Sequence, residues 1–304
     1  MSARILDGRM IGRAIRNRIK VHVDELFRVA GVIPGLAVIL IGEDPASRVN
    51  VTNKMKACPD VGIRSTLIEH AKDVPAEFLV ENIRRLNDDP ATHGILVQLP
   101  LPPHHDVRAV LHAISVERDV DGFHLYNVGG LVVGDTIFSP CTPFGVMRIL
   151  DHAGLPIEGR NVTMVGASAI VGKPMALMMM QRDATVAVCH AKTRDLAEYT
   201  ILADVLVVAA GVLNLILPQM VRTGAVVIDV GINRSPDGRL VGDVNFEGIS
   251  QKASYITPVP GGVGPMTVTM LLANTVSAAR RYVERTRGPS IFLQDVTQLA
   301  LQGR

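Results

Sequence analysis

Asn50 and Lys54 are polar residues that lie one helical turn apart in a helix predicted near the start of the chain. Asp44 and Ser47 are plausible caps for this helix, and Asn50 and Lys54 fall on a face different from its apolar one. This spacing lets two polar side chains reach into one site. An isolated lysine is more often a solvated surface residue, so that alternative stays open.

Other polar residues in the same half of the chain lie at the end of a predicted strand and just before a glycine. Gln98 stands at the end of an apolar strand, just before a proline-rich run, where its amide needs hydrogen-bond partners. Asp119 and Asp121 flank Val120 ahead of a glycine. These three side chains could line a site, or Gln98 could be a satisfied structural residue and the aspartates could cap the turn.

A proline- and glycine-rich stretch, TPVPGGVGPMT at 257–267, follows a short strand and precedes a long helical pattern. Its prolines fix φ, and Gly261, Gly262 and Gly264 allow positive φ and close backbone approach. We interpret it as a rigid wall of a binding cleft with backbone N–H groups available to a ligand. A structural turn before a helix is the alternative.

A strand, a glycine-bearing turn and a helix occur in NVTMVGASAIVGKP, residues 161–174. The usual G-x-G-x-x-G fingerprint is absent, and Ser168 stands where its second glycine might be. The N-terminus of a helix that opens on glycine still offers N–H groups to a pyrophosphate. After the next strand the chain reads His190-Ala191-Lys192-Thr193-Arg194, with no immediate acid, which favours NADP over NAD unless these charges are merely solvated.

The alternation of predicted strands and helices indicates an α/β protein with parallel sheets. The second half of the chain repeats the pattern of a doubly wound, Rossmann-type nucleotide-binding domain. The predicted helices cover 13–29, 75–87 and 146–151, with CTPFG at 141–145 as a hinge before the last of them. The predicted strands cover 34–42, 63–70, 94–100, 185–190, 204–211 and 225–233.

Composition excludes several classes of function. The chain has 304 residues, 48% of them hydrophobic and 20% charged, and a formal net charge of +2. We therefore expect about two globular domains, no nucleic-acid partner, no membrane partner and a cytoplasmic location. Cys58, Cys141 and Cys189 are widely spaced and are expected to be reduced, buried thiols, and no metal site is expected.

The quoted motifs closely resemble one family, the bifunctional methylenetetrahydrofolate dehydrogenase/methenyltetrahydrofolate cyclohydrolases. The resemblance covers nearly the whole chain up to about residue 285, and VQLPLP and YITPVPGGVGPMT are its most specific parts. It implies two α/β lobes with a cleft between them: a folate-binding catalytic domain at 1–145 and an NAD(P)-binding Rossmann-type domain at 146–265. A C-terminal helix at about 266–304 would complete the first domain.

The resemblance also implies roles for individual residues. Lys54 matches the catalytic lysine of the water step, Gln98 the glutamine that orients it, and Asp121 the aspartate that holds the pterin. The residues implied to bind the folate substrate are Asn50, Pro260, Gly261 and Gly262. The residues implied to bind NADP are Gly166, Ala167, Ser168, Gly172, Thr193 and Ile232.

One departure from the family pattern concerns the chemistry itself. Asn50 stands where the family has a tyrosine that stacks on the folate, and Ala191 and Leu213 are smaller departures. We expect a bifunctional enzyme. The alternatives are a dehydrogenase-dominant paralogue with an impaired cyclohydrolase step, and a binder of folate or nucleotide without activity.

The resemblance further implies a homodimer formed through the Rossmann-type lobe. The tail beyond Gly288 places Phe292, Val296 and Leu299 at helical spacing. We interpret this tail either as a helix that packs on the first lobe or on a second subunit, or as a frayed terminus.

Overall fold

The computed structural model describes residues 2–288, which form two compact units. The first half of the chain contributes β1 (Arg4–Ile5), α1 (Gly8–Ala30), β2 (Gly35–Ile41), α2 (Pro45–Asp60), β3 (Arg64–His70), α3 (Ala76–Asp88), β4 (Gly94–Val97), α4 (Val107–Ala113), α5 (Leu125–Val133) and α6 (Cys141–His152). The second half contributes β5 (Asn161–Val165), α7 (Gly172–Met180), β6 (Thr185–Cys189), α8 (Ala197–Thr200), β7 (Val205–Val208), β8 (Val226–Asp229), β9 (Asn233–Arg234), β10 (Leu240–Val241), α9 (Phe246–Ser250), β11 (Tyr255–Ile256) and α10 (Val263–Arg287).

The first unit, which we call the three-stranded unit, comprises Arg13–Cys141 and the described residues from Val268 onward. Its parallel sheet has the order β3-β2-β4. Every residue of β2 is buried, which agrees with its continuous apolar sequence and its central position in the sheet. The core beneath it includes Ile39, Leu79, Ile83 and Ile95.

The second unit, which we call the six-stranded unit, comprises residues 2–12 and Thr142–Thr267. Its sheet is parallel throughout and has the order β1-β11-β8-β7-β5-β6. The prediction of an α/β fold with a parallel sheet is therefore confirmed. The sequence-based domain boundaries at residues 145 and 265 stay a prediction.

Two predicted element boundaries were wrong because proline and glycine occupy the first turns of helices. CTPFG is the start of α6 and not a hinge, since Pro143 lies in a first turn whose N–H groups have no partner within the helix. Gly145 lies against α10 there, since a Cβ would come as close as 3.0 Å to the Cβ of Met266.

The proline-glycine stretch is likewise shorter than predicted. α10 begins at Val263, so Gly264 lies within the helix and the loop covers only 257–262. Of the three glycines, only Gly261 has a positive φ, 118°. The predicted helix over the tail beyond Gly288 lies outside the described residues.

Smaller differences concern the ends of strands and one cap. The predicted strand at 225–233 is two short strands, β8 and β9, and the strand at 204–211 covers only 205–208. Asp44 is the cap of α2, and its Oδ2 accepts a hydrogen bond from the Ser47 N–H at 2.7 Å. Ser47 is a helical residue.

The three cysteines are free and buried, as predicted. Burial raises the pKa of the Cys58 thiol to about 11, and it also raises the pKa of the Cys189 thiol. None of the helices within residues 2–288 is long and apolar enough to cross a membrane. Over the same residues, no group of three His, Cys, Asp or Glu side chains could hold a metal ion.

Acidification is expected to destabilise the three-stranded unit through His93. This side chain is 4% exposed, and its Nδ1 accepts a hydrogen bond from the Gly35 N–H at 3.0 Å. Burial lowers its pKa from 6.5 to about 4, and the positive charges of Arg118 and Arg64 act in the same direction. The unfolded chain therefore binds a proton that the folded chain rejects between pH 6.5 and 4, and stability falls as the pH falls through this window.

The expected cost is about 2 kcal/mol of unfolding free energy at pH 5 relative to pH 7.5. Urea unfolding of the wild type and of His93→Gln at both pH values measures it, because contributions from other groups cancel in the difference. The variant should lose less stability than the wild type on acidification. Parallel losses in the two proteins would contradict the assignment to His93.

Candidate active site

The sequence places Lys54 on α2, and the fold brings it to the end of β4. The Asp44 cap and Pro45 in the first turn fix the start of α2, and Lys54 lies in its third turn, partly buried. Lys54 Nζ donates a hydrogen bond to Gln98 Oε1 at 3.1 Å. Two residues that are 44 positions apart in the sequence therefore form one polar pair.

Gln98 is held rigidly by its own surroundings. It is 8% exposed, its N–H donates to the Ile39 carbonyl at 2.9 Å, and its side-chain Nε2 donates to the Leu99 carbonyl at 2.6 Å. Because the amide nitrogen is engaged, the amide oxygen is the group that faces the lysine. The arrangement can therefore orient an amine towards a bound molecule.

Asp121 and Lys54 both act electrostatically on the buried Cys141 thiol. Burial raises the pKa of the Cys141 thiol well above its usual value, the negative charge of Asp121 raises it further, and the positive charge of Lys54 opposes this rise. Both charged groups therefore act on one thiol, whose Sγ donates to the Val120 carbonyl at 3.2 Å. The structure thus groups Lys54, Gln98 and Asp121 within the three-stranded unit.

Asp119 has a structural role in the turn that carries Asp121. It is 1% exposed, and its carboxylate accepts hydrogen bonds from the Phe123 and His124 N–H groups and from Asn127 Nδ2. Burial raises its pKa to about 7, against the opposing effect of these donors. The cap role left open for this residue is the one that the structure gives it.

Asn50 lies one turn before Lys54 on α2, and it is exposed. Pro260, Gly261 and Gly262 belong to the six-stranded unit. There the loop is rigid: the Gly262 N–H donates to the Pro258 carbonyl at 2.8 Å, and a Cβ on Gly8 would lie 1.8 Å from the Gly262 oxygen. The N–H of Gly262 is therefore used within the loop, contrary to the expectation of a donor available to a ligand.

A second group of predicted residues follows the carboxyl ends of strands in the six-stranded unit. Gly166, Ala167 and Ser168 follow β5, Thr193 follows β6, and Ile232 follows β8. Because the strands are parallel, their carboxyl ends lie on the same side of the sheet, and this is the side where such sheets bind ligands.

The turn between β5 and α7 is closely packed. Gly166 has φ 112°, and a Cβ there would lie 2.2 Å from the Ala209 oxygen. A Cβ on Gly172 would lie 2.0 Å from the Gly166 oxygen. Ser168 Oγ accepts hydrogen bonds from the Val171 and Gly172 N–H groups at 3.2 and 3.3 Å. The turn is thus a backbone cradle at the start of a helix, and Ser168 organises it.

Comparison with known proteins identifies what these two groups of residues belong to. The family model for the catalytic domain of tetrahydrofolate dehydrogenase/cyclohydrolase matches residues 6–121, and the model for the NAD(P)-binding domain of the same family matches residues 140–283. The chain belongs to the tetrahydrofolate dehydrogenase/cyclohydrolase family. The resemblance inferred from the motifs is confirmed.

Individual members of the family resemble the chain along nearly all of its length. It is 54% identical to the bifunctional protein FolD of Nitrosospira multiformis over 95% of this chain and 100% of that protein. The crystal structure of the bifunctional FolD enzyme of Campylobacter jejuni is 48% identical, with a TM-score of 0.90, and the match covers 92% of this chain and 99% of that one.

A FolD structure from Trypanosoma brucei, complexed with NADP cofactor and an inhibitor, also has a TM-score of 0.90. It is 40% identical, and the match covers 93% of this chain and 99% of that one.

Two buried aspartates of the six-stranded unit, Asp229 and Asp243, received no role from the sequence. Both are 3% exposed or less, and both accept several hydrogen bonds from loop backbone. The only sequence signal was their position beside glycines, in IDVG and VGDV, where a missing Cβ leaves room for a carboxylate.

Proposed function

We propose that the protein is a bifunctional folate enzyme that oxidises 5,10-methylenetetrahydrofolate with NADP and hydrolyses the product to 10-formyltetrahydrofolate. The observation that carries this proposal is the Lys54–Gln98 hydrogen bond of 3.1 Å, with the charge of Asp121 nearby. Membership of a family whose models describe a dehydrogenase and a cyclohydrolase supports both activities.

The oxidation needs positioning more than proton transfer. The methylene carbon between N5 and N10 of the folate loses a hydride and becomes a delocalised methenyl cation, so no proton leaves the substrate. NADP supplies the nicotinamide that accepts this hydride. We assign Asp121 to the pterin, because a carboxylate can accept two hydrogen bonds from its amidine-like edge.

The hydrolysis needs managed proton transfer. Water adds to the methenyl carbon and loses one proton, which leaves a hydroxyl group on this carbon. The hydroxyl group then loses its proton, N5 gains a proton, and the bond from the carbon to N5 breaks to leave the formyl group on N10, so that one proton is released overall. We assign Lys54 to the water step, where a positioned amine can move or stabilise the proton. Gln98 is a positioning residue because it fixes the direction of the amine. Pro260, Gly261 and Gly262 are proposed to contact the folate.

The residues proposed for cofactor binding fit NADP. Gly166 and Gly172 let the backbone of the β5–α7 turn pack closely at the start of α7, where the helix dipole favours a pyrophosphate. The Val171 and Gly172 N–H groups are held by Ser168 Oγ, which keeps this turn in place. Ala167, Ser168, Thr193 and Ile232 complete the proposed set. After β6, Lys192 and Arg194 are exposed, and the carboxylate of Asp195 accepts a hydrogen bond from the Ala197 N–H at 2.9 Å. This acid is engaged by α8, which favours a 2′-phosphate over a free 2′-hydroxyl.

A two-wavelength assay tests the proposed function. The purified protein is mixed with 5,10-methylenetetrahydrofolate and either NADP or NAD, and reduced nicotinamide and methenyl absorbance are followed together. We expect reduction of NADP in preference to NAD, with little methenyl intermediate because hydrolysis removes it. Accumulation of methenyltetrahydrofolate throughout turnover would contradict the second activity.

Substituting Asn50 by tyrosine is expected to improve hydrolysis more than oxidation. The tyrosine would restore a ring contact worth about 0.5–1.5 kcal/mol, which corresponds to about a two- to thirteenfold gain. Steady-state rates of both reactions measure the effect. Thr52→Tyr is the matched control, because residue 52 is also exposed on α2 but points about 200° away from residue 50. Equal gains in both reactions would mean that only folate binding had improved.

We further propose that the protein forms a homodimer through β6. This strand is at the edge of the six-stranded sheet, with Val188 41% exposed, and Ile201 and Leu202 further along the chain are also exposed. Light scattering should give twice the chain mass for the wild type and for the control Val21→Lys, and a single chain mass for Val188→Lys. A monomeric wild type would contradict the proposal.

The three free thiols support a cytoplasmic location.

A further inference from the structure

A fully buried carboxylate organises the loop that follows β7. Asp243 is 0% exposed, and its carboxylate accepts hydrogen bonds from three consecutive backbone N–H groups: Ala210 at 2.7 Å, Gly211 at 2.9 Å and Val212 at 3.0 Å. Asn233 Nδ2 donates a fourth hydrogen bond at 2.8 Å. A buried carboxylate is tolerated only with such partners, so the loop and the aspartate depend on each other.

The loop held by Asp243 adjoins the β5–α7 turn. A Cβ on Gly166 would lie 2.2 Å from the Ala209 oxygen and 3.5 Å from the Ala210 nitrogen. A displacement of residues 209–210 would therefore change the space beside Gly166. The two segments lie side by side at the carboxyl ends of β5 and β7, because these parallel strands are neighbours in the sheet.

A second carboxylate holds Asp243 in place. Asp229 accepts hydrogen bonds from the N–H groups of Gly231 at 3.0 Å, Asp243 at 3.0 Å and Val244 at 3.1 Å. Glycine is required on both sides of this pair: a Cβ on Gly231 would lie 2.1 Å from the Asp243 carboxyl group, and a Cβ on Gly242 would lie 1.8 Å from that of Asp229. The backbone therefore leaves a single arrangement for the two carboxylates.

We propose that Asp243 is a positioning residue for NADP. It holds the backbone of residues 210–212 against the β5–α7 turn and so keeps the proposed cofactor site, at the carboxyl ends of β5 and β7, preformed. This inference rests on the function proposed above. It assigns Asp243 no contact with the folate and no part in the water step, which we place on Lys54. Its loss should therefore affect the two reactions unequally.

Asp243→Asn is the principal test. The asparagine keeps the size of the side chain, but its amide nitrogen would face N–H groups that need an acceptor. We expect the KM for NADP and the dissociation constant of NADPH, measured by fluorescence titration, to rise by at least about tenfold. Hydrolysis of 5,10-methenyltetrahydrofolate, assayed without nucleotide, should stay at the wild-type rate.

Asp204→Asn is the matched control. Asp204 also accepts a backbone hydrogen bond, from the Asn161 N–H at 3.0 Å, and it pairs with Arg222. However, Asp204 precedes β7, so it lies at the amino ends of the strands and not at the carboxyl ends where we place the cofactor. NADPH affinity should be unchanged in this variant. A loss as large as that of Asp243→Asn would mean that any damage to the six-stranded unit weakens the cofactor site, and it would overturn the proposal.

Asn233→Ala provides a milder second variant. It removes the donor to Asp243 and a hydrogen bond of 3.0 Å to the Gly242 carbonyl, but it retains the carboxylate. We expect a smaller rise in the NADPH dissociation constant with unchanged hydrolysis, and this variant decides the matter if Asp243→Asn does not fold. Unchanged NADPH affinity in the folded variants, or equal losses in both reactions, would overturn the inference. Failure of the proposed function would be seen separately, in the wild type.

Discussion

Replacing Lys54 by methionine is expected to lower the rate of methenyltetrahydrofolate hydrolysis by at least about 100-fold, because general acid–base assistance contributes about that much or more. Methionine keeps the length of the side chain but cannot donate to Gln98 Oε1, which the lysine reaches at 3.1 Å. Oxidation of the methylene substrate should fall much less, since it transfers a hydride and releases no proton. Both rates are measured separately, each with its own folate substrate.

Lys56→Met is the control for this experiment. Lys56 lies two residues further along α2, and it is exposed. Its replacement should leave both rates unchanged. Unaltered hydrolysis in Lys54→Met would remove the basis of the proposed water step, whereas equal losses in both reactions would indicate a role in folate binding alone.

Substituting Gly172 by alanine is expected to abolish tight NADP binding. The new Cβ would lie 2.0 Å from the Gly166 oxygen and 2.9 Å from the Ala167 Cα, and both are main-chain atoms of the same turn. The turn must therefore move away from α7. We expect at least about a tenfold rise in the dissociation constant of NADPH, and a loss of about 1–3 kcal/mol in unfolding free energy. Fluorescence titration and urea unfolding measure the two effects.

Gly129→Ala is the matched control for the glycine substitution. Gly129 lies within α5, and a Cβ there would have no atom within 4 Å. Alanine should therefore leave NADPH binding unchanged and stabilise the helix by about 0.5–1 kcal/mol. If Gly172→Ala bound NADPH as tightly as the wild type, the β5–α7 turn could not be the pyrophosphate site.

The sequence predicted the helices and strands with clear periodicity, and it failed where proline and glycine start a helix. β2 is apolar throughout and was predicted within one residue at each end. α6 and α10 begin earlier than predicted, because proline and glycine were interpreted as ending regular structure. Only the fold shows that Gly145 packs closely against Met266, where a Cβ would make a tight contact.

The candidate site was predicted as separate parts. Composition and spacing suggested Lys54 on a helix and Gln98 at a strand end, and the family resemblance connected them, but only the fold supplies the distance between them. Asp243 was not predicted at all. Periodicity describes one element at a time, whereas the partners of Asp243 come from the separate segments 210–212 and 233.

The burial of all three native cysteines makes this chain suitable for site-selective labelling. Their thiols are inaccessible, and burial raises the pKa of each, so the thiolate that reacts with maleimides is scarce at neutral pH. A cysteine introduced at the exposed position 56 would carry a fluorophore on the helix that bears Lys54, without prior removal of the natural cysteines.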